Sequence, residues 1–91
     1  MICCRLDENG YLFIKCPACN MIHLVPAKAW KWNGSFEKPT LDPSIKLTWD
    51  WGEEHIGKIC HFHIIDGVII FHDDCTHTLR GPHQLPEYDT F

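Results

Sequence analysis

Hydrophobic and polar residues alternate with a period of two along much of this chain, and turn residues break the pattern at short intervals. The clearest case is the segment 44–51, in which Ile45, Leu47, Trp49 and Trp51 would face one side of a strand and polar residues the other. No stretch of a dozen residues keeps a helical period. The pattern therefore predicts a mainly β fold: a small antiparallel β-sheet domain with little helix.

Turn residues locate the other strands of this predicted fold. Asn9-Gly10 supplies the positive φ that a tight hairpin needs, so the strands on either side of it should pair. Two prolines, Pro39 and Pro43, favour an ordered loop over residues 36–44, because proline is excluded from a helix interior and from a central strand. The predicted strands in the first third of the chain are residues 2–6, 11–15 and 21–25, and an extended strap is predicted at residues 81–91.

A second hairpin is predicted around Asp66-Gly67, between strands at residues 58–65 and 68–72. A two-residue turn there pairs Ile65 with Val68 and sets His61 opposite His72. One face of the hairpin is then apolar, with Cys60, Phe62, Ile64, Ile69 and Phe71. The other face carries a cluster of three histidines, His61, His63 and His72.

Length and charge bound what the chain can be. Its 91 residues predict a single domain over residues 1–91 with one modest core. The net charge of −4 comes from residues 61–91, which contain five acidic residues and a single basic one, Arg80. A cationic groove for nucleic acid is therefore not expected. No apolar run approaches the roughly 18 residues that span a membrane, and the first residues do not resemble a signal peptide. We therefore expect a protein of the cytoplasm, without a membrane partner.

Six cysteines and seven histidines are the anomaly of this composition. Cys16-Pro17-Ala18-Cys19 is a turn of the kind that supplies two thiolates to one ion, as in a zinc knuckle. The second half of the site must come from distant residues, and Cys75 and His77, two apart and just after a strand, rank first. The expected ligands of a structural Zn²⁺ are therefore Cys16, Cys19, Cys75 and His77, with mixed thiolate and imidazole ligation favouring zinc over iron.

Three other residues compete for places in this site. Cys60 and His61 are adjacent, so on a strand they point to opposite faces and cannot both bind one ion. His23, four residues after Cys19, could replace one of the late ligands. The ion would join an early turn to a late strand, so that its binding energy would become folding energy.

The spaced motifs over residues 11–86 resemble an uncharacterised family of small phage and prophage proteins, members of which are sometimes mislabelled ammonia monooxygenase. The motifs are Cys16-Pro-Ala-Cys19 with His23, Trp32-Asn-Gly34, Pro39-Thr-Leu-Asp-Pro-Ser44, Cys60-His61, Asp66-Gly67 and Asp74-Cys-Thr-His77. The resemblance implies a virally encoded accessory protein that acts in the cytoplasm of a host bacterium.

Three functions follow from these observations. The leading hypothesis is a non-enzymatic, zinc-stabilised module that binds a host or phage protein through its acidic last third, in host takeover or against a host defence. It rests on the small size, the resemblance and the lack of a recognisable nucleophile triad, so no catalytic residue is assigned.

The second is a small metal-dependent hydrolase with His61, Asp74 and His77 around an open metal site. The third is a single-stranded nucleic-acid binder built on Trp30 and Trp32. Whether the chain forms a homodimer is left open.

Overall fold

The computed structural model describes residues 2–49 and 57–88, except for the side chain of Trp49, and arranges them in two antiparallel sheets. The first sheet has the strand order β1-β2-β3, with β1 at Cys4–Leu6, β2 at Tyr11–Cys16 and β3 at Met21–Pro26. The second has the order β4-β5-β6-β7-β8: β4 Lys31–Trp32, β5 Leu41–Trp49, β6 Lys58–Ile65, β7 Val68–Phe71 and β8 Pro82–Gln84. No α-helix lies in the described ranges, so the predicted fold class is confirmed.

The β6–β7 hairpin forms as its turn residues require. Asp66 and Gly67 both have positive φ, 48° and 78°, which is the backbone of the tight turn that joins twisted antiparallel strands. Ile65 accordingly pairs with Val68, and the register continues to Phe62 opposite Phe71. The amide of His72 then donates to the carbonyl of His61 at 2.8 Å, as the predicted pairing of these two histidines requires.

The first hairpin also forms at the predicted turn. Asp7 Oδ1 accepts hydrogen bonds from the amides of Asn9 and Tyr11, and Gly10 has a φ of 87°. β3 extends to Pro26, whose ring ends the strand opposite Tyr11. The predicted segments 50–51 of the alternating strand and 89–91 of the tail lie outside the described residues.

The prediction of a loop over residues 36–44 was wrong for its last part. β5 begins at Leu41 and runs through Pro43, so this strand is longer at its start than expected. Pro43 is accommodated there because the pairing with β6 shifts register between Leu41 and Ile45. At such a bulge the ladder does not need a hydrogen bond from the N–H that proline lacks. The bulge places Ser44 at the start of the regular part of β5.

The core lies between the two sheets and is closed by the C-terminal segment. The predicted apolar face of β6 and β7 points inward, with Phe62 fully buried and its ring stacked 5.7 Å from the ring of His23 on β3. Leu85, after β8, is also fully buried and donates its amide to Gly67. The buried apolar side chains of both inner faces are Leu12, Ile14, Val25, Leu41, Ile45, Phe62, Ile64, Ile69 and Phe71.

None of the described residues forms a helix with the length and apolar character that crossing a bilayer demands.

Candidate active site and metal-binding group

A serine, a histidine and an aspartate form a continuous chain of hydrogen bonds on the outer face of the five-stranded sheet. His61 Nδ1 lies 3.0 Å from Asp74 Oδ1 and 3.2 Å from Oδ2, and His61 Nε2 lies 3.1 Å from Ser44 Oγ. An ionised carboxylate only accepts, so Nδ1 carries the proton and donates to Asp74. Nε2 of the neutral ring is then free to accept from the Ser44 hydroxyl. This is the arrangement of a nucleophile, a general base and a carboxylate that orients the base.

Three neighbouring strands bring these residues together. β6 is the middle strand and carries His61, which pairs directly with Lys46 of β5. Ser44 is two residues before Lys46, so its side chain lies on the same face. Asp74 follows β7 on the other side of β6. The histidine is therefore flanked by the Ser44 hydroxyl on one side and the Asp74 carboxylate on the other.

The turn that carries Asp74 is attached to β6 by Cys75. The His61 amide donates to Cys75 Sγ at 3.2 Å, and the thiol donates to the His61 carbonyl at the same distance. Arg80 holds the rest of this turn, because its guanidinium donates to several backbone carbonyls. The carbonyls that it reaches belong to Asp73, Cys75, His77 and Leu79. Asp74 thus reaches His61 from a turn with many internal hydrogen bonds.

A lysine also contacts the carboxylate. Lys46 Nζ lies 3.3 Å from Asp74 Oδ2, and both side chains are close to half exposed. Partial desolvation would raise the pKa of Asp74, but the hydrogen bonds from His61 and Lys46 outweigh it and hold the pKa below the usual 3.8. The carboxylate is therefore ionised at neutral pH, as its role beside the histidine requires.

The predicted cluster of three histidines is present beside this site. The rings of His61 and His72 stack with centroids 3.9 Å apart, and His72 Nε2 lies 2.7 Å from His63 Nδ1. Burial lowers the pKa of His72, and the neighbouring His61 and His63 lower it further. His72 therefore covers one face of the His61 ring with an imidazole that resists protonation.

A second group of reactive side chains lies between the two sheets. One ligand atom from each of Cys16, Cys19, His23 and Cys60 lies within 4.8 Å of the others, and these four residues could hold a metal ion. Cys16 and Cys19 belong to the end of β2 and the turn after it, His23 to β3, and Cys60 to β6. This cysteine–histidine group therefore connects the two sheets.

Hydrogen bonds within the cysteine–histidine group shift the pKa values of its three thiols in opposite directions. Those from Cys19 and Cys60 lower the pKa of Cys16. The hydrogen bond to Cys16 raises the pKa of Cys19 to about 12, and the bonds to Cys16 and Cys19, together with burial, raise that of Cys60. The Cys16 and Cys60 sulfurs are 3.8 Å apart, and none of the three cysteines forms a disulfide. Three thiols and an imidazole converging on one point are a donor set that suits zinc.

The structure brings together only half of the predicted metal site. Cys16 and Cys19 belong to the group, but Cys75 and His77 do not. Cys75 bonds to the His61 backbone, and His77 packs edge-on against the ring of Phe71. The chain after β7 is a series of turns, so a spacing of two residues does not place side chains on one face there. The geometry favours His23 and Cys60, the alternatives, in these two places.

The sequence did not point to Ser44, the candidate nucleophile. His61 and Asp74 were considered, but around an open metal site with His77; in the structure they bond to each other and to Ser44. Ser44 was noted as the last residue of a Pro-Thr-Leu-Asp-Pro-Ser motif and the first of the alternating segment 44–51, without a chemical role. One signal was available, since the chain has only two serines, Ser35 and Ser44, and the second begins a strong strand pattern.

The chain is similar to a known protein family. A family model described as "Bacterial ubiquitination-like system serine protease (BubE)" matches residues 2–72, a range that contains Ser44 and His61 and ends two residues before Asp74. No curated protein and no solved structure matches the chain.

The match corrects four predictions. The assignment to a family of phage and prophage proteins was wrong, and so was the non-enzymatic module that binds a host or phage protein. The metal-dependent hydrolase and the single-stranded nucleic-acid binder were wrong as well, because the family is one of serine proteases. With most of its length matched, the chain belongs to the BubE family, serine proteases of bacterial ubiquitination-like systems.

Proposed function

We propose that this chain is a serine protease in which Ser44 is the nucleophile and His61 the general base. The observation that carries the proposal is the chain of hydrogen bonds from Asp74 through His61 to Ser44. Ser44 Oγ attacks a substrate carbonyl carbon while its proton passes to His61 Nε2, which then delivers it to the leaving amine. Water, deprotonated by the same nitrogen, hydrolyses the resulting acyl-enzyme and restores the Ser44 hydroxyl.

Asp74 orients the base and stabilises the imidazolium that forms during both steps. Its low pKa supports this role, because a carboxylate that stays ionised keeps the proton of neutral His61 on Nδ1. Lys46 contributes by favouring the ionised form. Cys75 and the turn that it attaches to β6 hold the carboxylate within hydrogen-bond distance.

The substrate that we propose is a protein of a bacterial ubiquitination-like system, and the bond cleaved is a peptide or isopeptide amide. This proposal is supported by the description of the family to which the chain belongs. The site is compatible with a protein substrate because it lies on the outer face of a sheet, with Ser44 partly exposed, and not in a closed cavity. A segment of a larger molecule can therefore reach it.

Labelling with a fluorophosphonate tests the nucleophile directly. This probe forms a covalent bond with an activated serine, and mass spectrometry of the digested protein locates the adduct. We expect labelling of Ser44, its loss in Ser44→Ala, and a large decrease in His61→Gln. Ser35→Ala is the matched control, because Ser35 is the other serine and bonds to the Lys38 amide instead of a histidine. An adduct elsewhere, or none, would refute the assignment.

We further propose that the cysteine–histidine group binds a structural Zn²⁺ ion through Cys16, Cys19, His23 and Cys60. Four protein ligands of this type fill a tetrahedral site and leave no open position for substrate. The ion would stabilise the fold by joining β2 and β3 to β6. Metal analysis of the purified protein should find one equivalent of zinc, which Cys60→Ser should remove and Cys75→Ser should leave in place.

A further inference from the structure

The strand that carries Ser44 has one open edge. β5 pairs with β6 from Ile45 to Trp49, but on its other side β4 pairs only with Leu41 and Asp42. Over residues 2–49 and 57–88, no strand pairs with the rest of that side. An unpaired edge presents a row of free backbone donors and acceptors, and it is a site where another extended chain adds to a sheet.

The hydrogen bonds of β6 show which groups of β5 point to the open edge. The His61 amide and carbonyl both point toward β7, where they bond to Cys75 and His72. Lys46 is directly opposite His61, so this is a pair without mutual hydrogen bonds, and the amide and carbonyl of Lys46 point away from β6.

The next pair without mutual hydrogen bonds, two positions along the strand, gives the same result. Ile59 uses its amide and carbonyl on Thr76, again on the β7 side. Thr48, opposite Ile59, therefore also directs its backbone amide and carbonyl to the open edge. Ser44 is two residues before Lys46, so its backbone groups point in the same direction as those of Lys46. Its carbonyl accepts a hydrogen bond from the Trp30 indole on that side at 3.4 Å. Lys46 and Thr48 thus offer two donors and two acceptors just beyond the nucleophile.

The position of Ser44 makes this edge useful for catalysis. Its hydroxyl bonds to His61, which stands on β6, so the general base lies on one side of the nucleophile and the open edge on the other. A chain paired with Lys46 and Thr48 would approach Ser44 from the side opposite the base. Attack by Ser44 on a carbonyl requires this relation, because the base must withdraw the proton while the carbonyl lies ahead of the oxygen.

We propose that the substrate binds as an added β-strand on the open edge of β5, through backbone hydrogen bonds to Lys46 and Thr48. The proposal rests on the function proposed above and names the substrate class: an extended, flexible polypeptide segment, such as a tail or linker, recognised mainly through its backbone. A cleavage site within a helix or folded sheet would first have to unfold, since its own backbone groups are already paired.

Peptide phosphonates of graded length test this proposal. The probes are an acetyl-alanine diphenyl phosphonate, the corresponding tetra-alanine phosphonate, and two tetra-alanine versions N-methylated at neighbouring amides. Because neighbouring amides of a strand point to opposite sides, only one of the two methyl groups blocks pairing. We expect the longer peptide to inactivate the protein at least about tenfold faster than the short one, and one methylated version to lose that gain while the other keeps it.

Substitution at the edge provides a second measurement. Thr48→Pro removes an amide that points away from β6, so the β5–β6 pairing is preserved while the length-dependent gain is lost. Thr48→Val keeps the amide and should keep the wild-type ratio of long-probe to short-probe rates. The peptide probes do not depend on these variants, so the test stands even if the proline variant fails to fold.

The outcomes separate the two proposals. If the fluorophosphonate labels Ser44 but peptide length and both methyl groups have no effect, the strand-addition proposal is wrong and the protease assignment stands. If sedimentation finds a dimer that Thr48→Pro dissociates, and length again has no effect, the edge binds a second copy of the chain and the proposal is also overturned. If Ser44 is not labelled at all, both proposals fail.

Discussion

Removing the metal ion from the cysteine–histidine group should lower the melting temperature by tens of degrees. The group joins Cys16 to Cys60, 44 positions apart, so the ion acts as a cross-link between two sheets. Closing a loop of that length removes conformational entropy from the unfolded chain and so raises its free energy by about 4 kcal/mol. For a domain of this size each kcal/mol changes the melting temperature by about 4–8 °C. Chelation should therefore lower it by roughly 15–30 °C.

Thermal unfolding followed by circular dichroism, with zinc and with a strong chelator, measures this change. Cys60→Ser should melt at the chelated temperature in both conditions. Cys3→Ser is the matched control, because Cys3 is equally buried but lies outside the group, and its thiol donates to the Leu85 carbonyl as a hydroxyl can. Protein that is purified without stoichiometric metal and melts at one temperature with or without chelator would refute the cross-link.

Three further predictions concern the active site and the core. Asp74→Asn should lower kcat by about 10⁴-fold with little change in KM, because an amide lets His61 adopt the wrong tautomer; steady-state kinetics measure this. Since folding lowers the pKa of Asp74 from 3.8, its ionised form stabilises the fold above about pH 3.8. Urea unfolding of wild type and Asp74→Asn should thus differ at neutral pH and converge as the pH falls below that value; a constant difference would contradict the pKa shift. Phe62→Ala should reduce the free energy of unfolding by about 3–5 kcal/mol, because Phe62 is fully buried between the sheets; a loss under 1 kcal/mol in urea would place it outside the core.

The hairpins were predictable because their turns are local. Asp66-Gly67 requires positive φ at both positions, and a two-residue turn then determines every pair between β6 and β7. The face of the sheet that holds the three histidines followed from this register alone. Local pattern and turn chemistry were therefore sufficient to predict the part of the candidate active site that His61, His63 and His72 form.

Ser44 was not predictable in the same way. The chain between β5 and β6 is too long for a tight turn to set their register, so nothing in the sequence placed Ser44 beside His61. Pro43 also argued against a strand, and only the bulge between Leu41 and Ile45 resolves that conflict. The metal ligands were ambiguous for a related reason, since Cys75 lies in irregular turns whose side-chain directions have no period.

β6 links the two groups of functional residues. Cys60 and His61 are adjacent, and alternation along the strand directs the first to the metal-binding group between the sheets and the second to the outer face. The hydrogen bonds of the proposed triad run from Ser44 on β5 through His61 on β6 to Asp74 after β7, so a displacement of β6 would lengthen both bonds of His61 at once. A metal ion on the inner face would therefore affect catalysis only by fixing the position of β6, because the sheet itself separates it from Ser44.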